Sequence, residues 1–115
     1  MSHSHRGSIV RIVILVAAAV LVTAAYGAPA QTLELPHFDV PRHCKTVASV
    51  GGDYSETVYG GCRKMEQAGY DGLKAGWADA AEPVKRLCLE VAQSGDEGSY
   101  AVLFDCIERA RGLPP

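Results

Sequence analysis

Apolar positions between residues 40 and 112 repeat with the period of a helix, and no alternating run is long enough for a strand. Cys44, Val47 and Ala48 stand at i, i+3 and i+4. Val58, Cys62, Met65, Gly69 and Leu73 continue a stripe to about Gly76. Val84, Leu87, Cys88, Val91 and Ala92 form a third, and Leu103, Cys106, Ile107 and Ala110 a fourth. These stripes predict four helices with apolar faces turned inward. Punctuation supports the boundaries: Asp39 and Pro41 suit the start of the first helix, and Gly51-Gly52 its end. Asp53 or Ser55 suits the cap of the second, Asp53 and Glu56 having capping-box spacing. Pro83 opens the third, Ser94 to Gly98 turns the chain, and Ser99 suits the cap of the fourth. Glycines 60, 61, 69, 72 and 76 weaken the second helix, since each interior glycine costs about 1 kcal/mol relative to alanine. They either permit close helix contact or divide the segment in two.

The first and second helices repeat as the third and fourth. Shifted by 44 positions, Cys44, Val47, Ala48, Gly51, Ser55, Val58 and Cys62 fall on Cys88, Val91, Ala92, Gly95, Ser99, Val102 and Cys106. The repeats run from about 39 to 76 and from about 81 to 112. Within each, the two cysteines are equally far from the turn, so antiparallel helices bring them to one height. Four cysteines allow three pairings. Equal spacing favours Cys44–Cys62 and Cys88–Cys106, each stapling its own hairpin. Closing such a loop is worth about 3 kcal/mol in the chain-entropy model. The expected fold is all-α: two disulfide-stapled helical hairpins packed as a small four-helix array.

The first thirty residues differ in kind. Arg6 and Arg11 precede an uncharged, largely apolar run from Ile12 to Ala25, then the small residues Gly27-Ala28-Pro29-Ala30 with an A-x-A cleavage pattern. The run is shorter than the roughly 20 residues that cross a bilayer. This predicts a signal peptide over 1–30, with a retained N-terminal anchor as the alternative, export to the periplasm or beyond, and no stable membrane insertion after cleavage. Residues 31–115 then form one helical domain. Without Arg6 and Arg11 the formal net charge moves from -2 to -4, which offers nothing to nucleic acid. A domain this small has a thin core, and an oxidising destination lets disulfides supplement it.

Candidate chemistry is sparse. Neither cysteine pair has the C-x-x-C spacing of redox thiols or the close ligand spacing of structural zinc. His37, Asp39, His43 and Cys44 form one group of possible ligands, but a bonded Cys44 removes the soft donor, and His37 lies in a loose leader, Leu33 to Phe38. Ser55 and Ser99 read as helix caps, because no nucleophile elbow surrounds either. Glu66, Asp71 and Glu90 read as solvated carboxylates. The acids Asp53, Asp96 and Glu97 would repel an anion from the turns. Tyr54, Tyr59, Tyr70, Trp77, Tyr100 and Phe104 read as completing the core, with Trp77 over the junction of the hairpins. No catalytic residue, metal ligand or cofactor is expected.

The order Leu35-Pro36-His37-Phe38-Asp39, His43-Cys44, Val47-Ala48, Gly51-Gly52, Tyr54-Ser55, Cys62, Met65-Glu66-Gln67, Tyr70-Asp71, Leu73-Lys74 and Trp77 resembles small exported bacterial four-cysteine proteins of unknown function. Cys88, Val91-Ala92, Gly98-Ser99-Tyr100 and Cys106 are similar to the same pattern. The resemblance implies a fold and carries no activity. The expected function is a non-enzymatic periplasmic or secreted module that binds an unknown protein or envelope component. The alternatives are a thiol-redox or metal-responsive envelope protein, or a small periplasmic stress chaperone.

Overall fold

The computed structural model describes residues 32–95 and 97–113. The expected signal peptide, Asp96 and Pro114-Pro115 lie outside the described residues. Four helices carry the fold: α1 (Val40–Ala48), α2 (Glu56–Gly76), α3 (Glu82–Ala92) and α4 (Tyr100–Arg111). A 3-10 turn, Trp77–Asp79, follows α2. Among the described residues there is no strand, and no helix is long and apolar enough to cross a membrane.

The ends of the helices follow local chemistry. The Asp39 carboxylate accepts from the Arg42 amide, and the Ser55 and Ser99 hydroxyls accept from the amides of Val58 and Val102. Each satisfies an amide that the first helical turn leaves without a partner. Ser55 therefore occupies the cap position of α2, and the Asp53–Glu56 capping box is not what starts that helix. In the α1–α2 turn Gly52 takes a φ of 94°, where a side chain would be strained.

Cys44 is bonded to Cys62 across α1 and α2, and Cys88 to Cys106 across α3 and α4. The Cα separations are 5.5 and 5.6 Å, so each staple sits at a matching height in its hairpin. The hairpins then pack through their second helices, giving the spatial order α1–α2–α4–α3. No disulfide crosses the central α2–α4 contact. Leu73, Ala80, Cys88, Ala92, Tyr100, Leu103 and Ile107 form the core, closed by partly buried Leu35, Phe38, Tyr70, Trp77 and Phe104.

Glycine sets the central contact. A methyl group at Gly69 would lie 2.8 Å from the Ala101 backbone, so α2 and α4 touch main chain to main chain there. Gly72 faces the Phe104 ring in the same way. The glycines thus permit close packing, and α2 runs as one helix of 21 residues.

Two expectations need correction. Residues 33–38 are not a loose leader. The Leu33 amide donates to Glu82 Oε2 at 2.9 Å, while the Leu33 carbonyl accepts from the Trp77 indole at 2.9 Å. The Tyr100 hydroxyl accepts from the Phe38 amide at 2.8 Å and donates to the Pro36 carbonyl at 3.0 Å. Nor are the apolar stripes wholly inward, because Val47, Val58, Met65, Leu87, Val91 and Val102 are exposed. In a row of four short helices, α1 and α3 each meet one neighbour, which cannot cover a stripe of full width.

Candidate functional site

The four cysteines are all bonded, and none is free among the described residues. Cys44 and Cys88 are fully buried, whereas Cys62 and Cys106 are partly accessible. The His37, Asp39, His43 and Cys44 group is not assembled. Asp39 caps α1, Cys44 is in its disulfide, and His37 and His43 line different grooves. Among the described residues no three His, Cys, Asp or Glu side chains converge as metal ligands.

Glu66 is the chief departure from the sequence reading. It is 2% exposed, not solvated. From the middle of α2 its carboxylate accepts from Ser99 Oγ at 2.6 Å, the Tyr100 amide at 2.7 Å and the Ala101 amide at 3.4 Å. His43 Nε2 lies 3.7 Å away, from α1. The carboxylate thus meets the N-terminal amides of α4, where the helix dipole favours negative charge. One side chain ties three helices. Asp71 and Glu90 are exposed, as expected of solvated acids. The spacing did contain a signal for Glu66: Cys62, Glu66, Gly69 and Leu73 stand at i, i+4, i+7 and i+11, which is the face α2 presents to its neighbours.

Lys85 was likewise unforeseen. It is 1% exposed on the buried face of α3 with Cys88 and Ala92. Its ammonium pairs with Glu82 at 2.8 Å and lies 5.1 Å from the centre of the Trp77 ring. Burying an ammonium is costly unless it is partnered, and here a carboxylate and an aromatic face share the task. The same pair holds the Glu82 carboxyl below its ordinary value of 4.5, chiefly through the Lys85 hydrogen bond and then the Leu33 amide. Trp77 therefore joins α3 to the leader, and it also lines the cleft between α2 and α4 beside Leu73, Phe104 and Ile107, at the junction of the hairpins. In the turns, Glu97 pairs with Arg42 at 2.9 Å.

Two apolar grooves open on the surface. One, of about 400 Å³, is lined by Val47, Val58, Cys62, Met65 and Val102. The other, of about 350 Å³, is lined by Leu87, Val91, Val102, Cys106 and Leu113. Val102 belongs to both, so they adjoin. They also correspond through the repeat, because Val47, Val58 and Cys62 occupy the positions of Val91, Val102 and Cys106. Met65 is 66% and Leu87 61% exposed, large values for residues of this size. A third groove, of about 460 Å³, lies between the leader and α2.

Compared with protein-family models, curated proteins and solved structures, the chain matches none.

Proposed function

We propose that the protein is a small exported, disulfide-stapled binding module, non-enzymatic, which holds an apolar segment of another envelope protein. One observation carries the reading: both repeats place an exposed valine pair beside their disulfide, and the two patches adjoin at Val102. Disulfides persist in oxidising compartments, and the N-terminal sequence has the pattern of an export signal. The resemblance to small exported four-cysteine proteins agrees with that location. Staples suit such a surface, since they keep it in shape without spending those apolar side chains on a core. Contiguous apolar surface on a small domain marks an interaction site more often than an isolated exposed side chain does.

Beads bearing the protein should retain an envelope protein that the Val58→Asp/Val91→Asp variant, equally folded by circular dichroism, fails to retain. Equal retention by both proteins would remove the basis for this reading.

Glu66 favours a second reading, a small stress chaperone that exposes its apolar helix faces when the α2–α4 contact loosens. Its carboxylate is the acceptor for Ser99 and for the α4 amides, across a helix contact that no disulfide spans among the described residues. His43 faces it from α1; His37, Arg63 and Lys64 line the groove next to it. Under this reading Glu66→Gln suppresses client aggregation at neutral pH, measured by light scattering. No suppression by the wild type at low pH, at stoichiometric excess, would end it. A thiol-redox or metal-responsive role has no comparable observation in its favour.

A further inference from the structure

The groove between the leader and α2 differs in chemistry from the two apolar ones. We propose that it is a binding site for a small aromatic carboxylate, separate from the surface assigned above to a protein partner. Its floor is prebuilt. Tyr100 is buried, with the Phe38 ring 4.8 Å and the Tyr70 ring 4.9 Å from its own, both tilted. The Tyr100 hydroxyl is fixed by Phe38 and Pro36, so the leader that forms one wall is held in place. A rigid aromatic floor lowers the ordering cost of binding and offers ring faces and edges to a flat ligand.

The rim supplies the charge. Arg63 and Lys64 are consecutive on α2, line the groove, and have no carboxylate partner among the described residues. Arg42, Lys74, Lys85, Arg109 and Arg111 all have one. Lys45 and Arg86 do not, but neither lines this groove. Arg63 donates to the Tyr59 hydroxyl at 3.0 Å, a contact that positions the guanidinium without neutralising it. Lys74 lies 4.9 Å from the centre of the Tyr70 ring and is paired with Asp71, so the groove's charge rests on Arg63 and Lys64. The one acid in the lining, Glu66, has its oxygens committed to Ser99, Tyr100 and Ala101.

The groove therefore presents two cations over an aromatic base, with the Glu66 carboxylate turned to its donors on α4. Its volume of about 460 Å³ falls in the range of small-molecule sites. A carboxylate meets the guanidinium in charge-assisted hydrogen bonds, and its ring settles on Phe38 and Tyr70. A metal ion finds no converging ligands here. A polyanion would face the repulsion of a molecule whose net charge is negative.

The probe is 2-naphthoate, titrated into the purified protein with both disulfides intact and followed by amide NMR shifts. Saturable shifts are expected at His37, Arg63, Tyr70 and Tyr100. Arg63→Glu/Lys64→Glu should weaken binding by about tenfold or more, with Lys64→Ala giving a smaller loss in the same direction. The neutral 2-naphthylmethanol should bind about tenfold more weakly than the acid. Val58→Asp/Val91→Asp should bind naphthoate as the wild type does, which separates this site from the proposed protein-binding surface. The proposal is overturned by absence of saturation, by equal affinity for acid and alcohol, by indifference to charge reversal, or by shifts confined to Val47, Val58 and Val102.

Discussion

At Glu66 and Lys85, two buried charges do opposite kinds of work. Glu66 accepts hydrogen bonds from the Ser99 hydroxyl and the Tyr100 amide, so removing its charge leaves those donors short. Glu66→Gln places an amide donor against the donors of Ser99 and Tyr100, and a loss of about 1–3 kcal/mol should appear in urea unfolding. Lys85 is different, because its surroundings are partly apolar. Lys85→Met should leave the melting temperature unchanged or raise it, whereas Glu82→Gln, which strands the ammonium, should lower it. The Glu82 carboxyl also sets a pH dependence. Its folded value lies below the ordinary 4.5, so its contribution is complete above the unfolded value and fades as pH falls through the folded one. Comparing denaturation midpoints at about pH 6 and about pH 3 should show a smaller acid loss in Glu82→Gln than in wild type.

Among the helices, glycine in α2 has two meanings. At Gly60 and Gly61 there is open space, and alanine should stabilise by up to about 1 kcal/mol each through helix propensity alone. At Gly69 the added methyl meets the backbone of α4, which cannot turn aside, and alanine should cost about 1–3 kcal/mol. Thermal melts of the three variants check both directions. The difference is instructive about what a sequence reveals. Helical period, caps and equal cysteine spacing are local properties, and they sufficed for four helices and both staples. The inward face of α2 was legible too in principle, since Cys62, Glu66, Gly69 and Leu73 keep helical spacing. The apolar stripe through Val58 and Met65 masks it, because apolar character alone does not mark burial. Burial of Glu66 depends on where the N-terminus of α4 arrives, and that is a property of the tertiary contact. The docking of the leader was illegible for a similar reason: its hydrogen bonds join residues 44 to 64 positions apart.

For the molecule as a whole, the staples and the seam share the stability unevenly. Replacing Cys88 and Cys106 together by alanine should cost about 2–5 kcal/mol, read from the denaturation midpoint, and the Cys44/Cys62 pair should behave similarly. Tyr100→Phe should release residues 36–38 without unfolding the helices, seen as faster amide exchange at Phe38. Because both sulfur links lie inside a hairpin, the α2–α4 interface is a shear plane that no covalent bond crosses. Two chains could trade hairpins along that plane and still keep every native link, with Ala80-Ala81 serving as the hinge. Oxidation therefore guards each half from unravelling, while the grip of one half on the other is left to non-covalent contacts such as Glu66 on α4.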